Sequence, residues 1–201
     1  MKRCRARVKS PPPVMLVIES SRMPDWPAVM ARLPRGTGVI LRDYDAPDRA
    51  ARAARAARIA RRRGLRLLIA GDGALARRVG AAGLHLPQFQ LGARPPNRRP
   101  GWLVTAAAHD RRALARAAAI GADAVLVSPV FATASHPGAR ALGPHRLARL
   151  IDTSPLPVIA LGGVDRISAR RLPPGISGFA AIGGLRDARL ARVQKFRRVP
   201  R

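Results

Sequence analysis

Short runs of consecutive apolar residues alternate along this chain with longer segments in which alanine and arginine recur at helical spacing. The apolar runs fall at 14–19, 37–42, 65–70, 84–86, 102–107, 124–130, 157–161 and 178–182. Most show none of the polar alternation of a half-exposed strand. Unbroken Val, Ile, Leu and Ala of strand length mark strands covered on both faces, as in a parallel sheet. The intervening segments predict helices over 25–33, 47–63, 74–79, 110–120, 144–151, 165–172 and 187–196. After the fourth run Pro95, Pro96 and Pro100 leave room for a short helix or none.

Eight strand-plus-helix units in 201 residues predict an α/β chain folded as a single (β/α)8 TIM barrel, at the lower limit of its usual size. The competing arrangement, an open doubly wound sheet, is disfavoured because the turn after the first run, 20–24, has no Gly-rich phosphate fingerprint and no GxGxxG occurs anywhere. The barrel is expected over 14–196, between a basic Pro-rich tail at 1–13 and a basic tail at 197–201. No apolar stretch approaches the ~20 residues of a membrane span, and the basic start leads only to the short run 14–18 before Glu19, so neither a membrane helix nor a signal peptide is expected. Cys4 is the one cysteine, which excludes an intramolecular disulfide and fits a cytoplasmic location.

Charge adds a second possibility. Lys and Arg number 38 against 11 Asp and Glu, a formal net charge of +27, which suggests phosphate neutralisation on a nucleic acid. However, only Lys2, Lys9 and Lys195 are lysines, and arginine rises together with alanine, as GC-rich coding would produce. Aromatics make up 3% of the chain and form no stacking platform for bases, so specific nucleic-acid binding is not expected. The stripe Arg49, Arg52, Arg55 and Arg58 reads as the solvated face of an outer helix whose inner face is alanine, with an anion-binding surface as the alternative.

In such a barrel the chemistry sits where strands end. The seventh run ends in Gly162-Gly163 and the eighth in Gly183-Gly184, each ahead of a predicted helix. Paired glycines let backbone N–H groups approach an anion, so these four residues are the candidate phosphate site, although glycine pairs also serve tight turns. The segment after the sixth run carries Thr133, Ser135 and His136, hydroxyls and an imidazole that can cover a substrate and donate to phosphate.

Four segments, 83–88 (GLHLPQ), 121–133 (GADAVLVSPVFAT), 158–164 (VIALGGV) and 178–184 (GFAAIGG), together resemble the thiamine phosphate synthase and thiazole tautomerase superfamily in order and spacing. The resemblance covers roughly 36–185 and implies a barrel that binds thiazole phosphate at its last two loops. In a synthase of this kind, an aminopyrimidine pyrophosphate loses Mg-bound pyrophosphate and the thiazole nitrogen captures the pyrimidine cation. The resemblance implies Arg42 as a catalytic and pyrophosphate-binding residue, with Asp43 retaining an acid beside it. It implies Asp72 as a magnesium ligand, with Gln90 where a second carboxylate is expected. It places His109 at the end of the fifth strand, and Thr133, Ser135 and His136 in the substrate-covering loop, with His136 replacing a lysine.

The departures fall in one half of the site. The thiazole-phosphate glycines are intact, whereas the pyrimidine-pyrophosphate half lacks one carboxylate and the loop lysine, which weakens a magnesium-dependent transfer. A tautomerase requires only proton transfer, but Pro129 stands where that type has its histidine, leaving His109 and His136 as candidate catalytic groups. His85 reads either as a core histidine or as part of the site; Cys4 has no assigned role. The expected activity is a thiamine phosphate synthase-like transferase acting on small phosphate esters, with magnesium as cofactor and a homo-oligomer possible. The alternatives are a tautomerase-like enzyme or a barrel that only binds phosphate esters.

Overall fold

The computed structural model describes residues 10–92, 98–133, 140–182 and 185. Eight strands run in parallel and close into a barrel in chain order: β1 (Val14–Ile18), β2 (Gly38–Leu41), β3 (Arg66–Ala70), β4 (Gly83–Leu86), β5 (Leu103–Ala108), β6 (Ala124–Val127), β7 (Val158–Leu161) and β8 (Gly178–Ala181). Among the described residues five α-helices accompany them: α1 (Trp26–Arg32), α2 (Arg49–Arg63), α3 (Gly73–Arg78), α4 (Arg111–Ala119) and α5 (Gly143–Thr153). The chain is therefore a (β/α)8 barrel. No helix among the described residues is long and apolar enough to cross a membrane.

The unbroken apolar runs are explained by two cores. Along β1, Met15 and Val17 point into the barrel and join Ile40, Leu68, Leu103, Leu126 and Ile159. Val14, Leu16 and Ile18 point outward into the layer beneath the helices. Every second residue thus meets a different apolar environment, and neither face tolerates a polar alternation. On α2 the buried residues are Ala53, Ala56, Ala57 and Ala60, small enough for the helix to lie close to the sheet; Arg55 and Arg58 face solvent, whereas Arg49 donates to the Ala70 carbonyl and Arg52 lies 3.5 Å from Asp43, both turned toward the strand ends. Arg55 lies 5.7 Å from the centre of the Trp26 ring on α1. At the entry to the barrel Phe179 donates to the Pro13 carbonyl at 2.9 Å.

Most boundaries fall within two residues of expectation, and two elements end or start three residues away. The sixth strand ends at Val127, not 130, because ladder pairing with β7 stops at the Val127–Ala160 pair and Pro129 has no N–H to continue it. The chain re-engages only as a loop, Val130 donating to the Leu161 carbonyl at 2.9 Å and Phe131 to that of Gly162 at 3.0 Å. The helix expected over 165–172 is a single 3-10 turn, Ser168–Arg171. Asp165 accepts from the Ile167 and Ser168 amides at 2.8 and 2.7 Å, and Pro173 and Pro174 stop any extension. The segment after β4 contains one 3-10 turn, Gln88–Gln90. The helix expected over 187–196 lies outside the described residues.

Candidate active site

The strands' C-terminal ends open into a cleft of about 1190 Å³. Its floor is the last inward-facing layer of the barrel, including Val17, His85, Leu126 and Leu161. His85 sits on β4 opposite Thr105 of β5, and its Nδ1 lies 2.9 Å from the Thr105 hydroxyl. Burial, aided by the charge of Arg42, pushes its pKa down to about 3, so the imidazole is neutral at physiological pH. His85 is thus a polar floor tile that carries no charge.

The wall formed by β1 and β2 is built from ion pairs. Arg42, directly after β2, reaches Glu19, directly after β1, at 3.1 Å, and Glu19 is 3.6 Å from Arg22. Asp43 is buried and accepts from the Ser20 amide at 2.7 Å and from the Ser20 hydroxyl, with Arg52 of α2 at 3.5 Å. Asp43 therefore ties the loop after β1 to the end of β2 and fixes the angle at which Arg42 enters the cleft. Glu19, Ser20 and the positioning role of Asp43 were missed in the sequence. Glu19 is the first charged residue after five buried ones, and applying the strand-end rule to β1 would have found it.

His109, after β5, lines the same cleft as Arg42. Its amide donates to the Gln88 side chain at 2.9 Å, and its Nδ1 lies 2.5 Å from the Ser128 carbonyl after β6. A carbonyl only accepts, so Nδ1 carries the proton and Nε2 of the neutral ring holds the lone pair. The fixed tautomer leaves Nε2 as a proton acceptor.

At the end of β7 the backbone dominates. Gly162 and Gly163 have φ of +92° and +63°. A Cβ on Gly163 would lie 2.4 Å from the Ala132 carbonyl, and one on Gly162 would lie 2.9 Å from Pro129. Glycine is required here because the loop after β6 packs directly on this turn. The Gly163 carbonyl accepts from the Ser168 hydroxyl at 2.9 Å. Thr133 closes the described part of the loop; Ser135, His136, Gly183 and Gly184 lie outside the described residues.

Asp72 and Gln90 occupy the positions expected to hold magnesium, and both already have partners. Asp72 caps α3, its Oδ1 accepting from the Leu75 amide at 2.8 Å, while Oδ2 faces the Arg49 guanidinium at 3.9 Å. Gln90 Nε2 donates to the Gly71 carbonyl at 3.2 Å. Magnesium requires several hard oxygen donors, and a guanidinium beside the one carboxylate opposes a second cation. Among the described residues no three His, Cys, Asp or Glu side chains gather as a metal site. The donor set does not fit the ion.

The family model for thiamine monophosphate synthase matches residues 15–185. A thiamine-phosphate synthase of Thioalkalivibrio sulfidiphilus is 31% identical over 148 residues, 72% of this chain and 70% of that protein. One of Chromobacterium violaceum is 35% identical over 134 residues, 64% and 63% of the two chains. The chain spans about half the length of several such curated relatives, for example 53% of one from Methanoculleus marisnigri. Among solved structures, a thiamine phosphate pyrophosphorylase from Pyrococcus furiosus superposes with a TM-score of 0.72 at 21% identity, covering 90% of this chain and 94% of that one, and so supports the fold.

Proposed function

The chain belongs to the thiamine monophosphate synthase family, and on that premise we propose that it is a thiamine phosphate synthase-type transferase. It joins a thiazole phosphate to an aminopyrimidine pyrophosphate. The observation that carries this reading is the convergence of Arg42 and His109 on one cleft, whose floor residue Leu161 leads directly into Gly162 and Gly163. In the proposed reaction the bond between the pyrimidine methylene carbon and the pyrophosphate oxygen breaks, its electron pair leaving with pyrophosphate. The thiazole nitrogen lone pair then forms the new C–N bond. Arg42, aligned by Glu19 and Asp43, stabilises the departing charge, which is the kind of preorganised electrostatic contribution that dominates such steps.

The proposal places the thiazole phosphate on the backbone at Gly162 and Gly163, joined by Gly183 and Gly184. Thr133, Ser135 and His136 cover the pyrophosphate. Asp72 is assigned a positioning role through its cap on α3, and no step is routed through magnesium. We further assign 14–196 to the barrel unit between basic tails, in the cytoplasm, with small phosphate esters as partners.

A second reading is favoured by one observation, the fixed tautomer of His109: proton transfer on thiazole phosphate alone, with Nε2 taking the proton from one carbon and returning it to another. The test is to incubate the protein with both substrates and follow thiamine phosphate by fluorescence after oxidation. A parallel incubation of thiazole phosphate alone in D2O follows carbon-bound deuterium by NMR. Thiamine phosphate formation supports the transferase. Deuterium incorporation without coupling shifts the assignment to the tautomerase, and neither signal refutes both.

A further inference from the structure

Around the ends of β2, β3 and β4, the side chains of Tyr44, Arg49, Asp72 and Gln90 form a polar knot. Arg49, the first residue of α2, donates to the Ala70 carbonyl, faces Asp72 Oδ2 at 3.9 Å and lies 5.7 Å from the centre of the Tyr44 ring. The other oxygen of Asp72 is held by the Leu75 amide, and Gln90 is held by the Gly71 carbonyl. Gly71 has φ +69°, and a Cβ there would be 3.3 Å from Tyr44 and 3.4 Å from Gln90, so both side chains close over it. Tyr44 faces the large cleft, whereas Arg49 and Asp72 do not line it. Burial raises the Tyr44 phenol pKa, offset in part by Arg42 and Arg49, so the ring is neutral and lies near both guanidiniums.

A permanent cation thus stands against the one carboxylate that a divalent ion would need, and the uncharged amide of Gln90 replaces the next. Arginine cannot lose its proton in a protein, so this arrangement does not yield to pH. We infer that the Tyr44–Arg49–Asp72–Gln90 knot takes the place of a divalent-cation site, and that the cleft binds diphosphate-bearing ligands on its own guanidinium groups, Arg42 and Arg52, without metal. The statement rests on the transferase reading only in taking a diphosphate as the ligand; the closure to metal stands on Arg49 and Asp72.

The probes are Mn2+ alone, read by the electron paramagnetic resonance signal of the free ion, and inorganic pyrophosphate, titrated calorimetrically in EDTA and again in Mg2+. The full chain is expected to leave the Mn2+ signal undiminished and to bind pyrophosphate equally in both buffers. Gln90→Asp is expected to gain nothing while Arg49 holds Asp72, whereas R49Q/Q90D gains Mn2+ affinity by about ten- to hundredfold. Mn2+ uptake by the wild type, a tenfold or greater loss of pyrophosphate affinity in EDTA, or pyrophosphate bound in neither buffer would overturn the inference. Should R49Q/Q90D fail to fold, the wild-type measurements decide alone. Failure to bind thiazole phosphate would sink the transferase reading and leave the metal result standing; metal uptake by the wild type would do the reverse.

Discussion

The two sides of the barrel mouth are built from different materials. On the β1–β4 side nearly every strand ends in a charged or amide side chain already engaged with another: Arg42 with Glu19, Asp43 with Ser20, Asp72 with Arg49, Gln90 with Gly71. On the β6–β7 side the contacts are backbone, with the loop after β6 hydrogen-bonded to the Leu161 and Gly162 carbonyls and packed on Gly163. A side-chain wall can be retuned one substitution at a time. A backbone wall tolerates no such drift, because its geometry depends on the absence of a Cβ.

The sharpest break is on the backbone side. Gly163→Val forces a branched side chain into a left-handed turn 2.4 Å from the Ala132 carbonyl, and should cost about 3 kcal/mol or more and abolish thiazole-phosphate binding. Gly80→Val has a similar φ, +65°, but nothing within 4 Å, and should cost only about 1–2 kcal/mol without changing binding. Denaturant melts and calorimetry on the pair separate strain from contact. Next in size, His109→Gln keeps a hydrogen-bonding side chain but loses the basic Nε2. If proton transfer is the chemistry, its rate should fall by roughly a hundredfold with little change in ligand affinity; an unchanged rate would leave His109 a structural residue.

On the side-chain wall, Arg42→Gln should weaken pyrophosphate binding by about 1.5–3 kcal/mol, as for a hydrogen bond to a charged group. Glu19→Gln should strengthen it by freeing Arg42 from its partner, and a loss of affinity there would show that alignment by Glu19 outweighs neutralisation. The most gradual effect, spread over more than two pH units, concerns the floor. His85 is neutral in the fold down to about pH 3, whereas the unfolded chain takes up its proton near 6.5. Between those values the unfolded state binds more protons, so stability falls as pH drops, by up to about 1.4 kcal/mol per pH unit. His85→Asn retains a group that can face Thr105 but does not titrate, and should flatten that slope in melts between pH 6.5 and 4.

Much of this was legible in the sequence. The unbroken apolar runs identified all eight strands, because each is buried on both faces, and the glycine pair after β7 marked a backbone-built turn. What stayed hidden depends on contacts between distant segments. The apolar run to Val130 conceals that Pro129 ends the ladder, and only the fold shows Val130 bonding to Leu161 as a loop. Asp72 has the residue type of a ligand, yet a guanidinium 23 positions earlier in the chain decides its partner. The role of Gly163 in accommodating Ala132 likewise required the loop after β6 to be in place.

The most direct measurement is a crystal structure of the protein soaked with thiazole phosphate. The account predicts the phosphate at the mouth of the barrel, within hydrogen-bond reach of the Gly162–Gly163 backbone, with the ring extending toward His109 and Arg42. A phosphate found instead in the groove between α1 and α2, among Arg52, Arg55 and Arg58, with the barrel mouth empty, would contradict it.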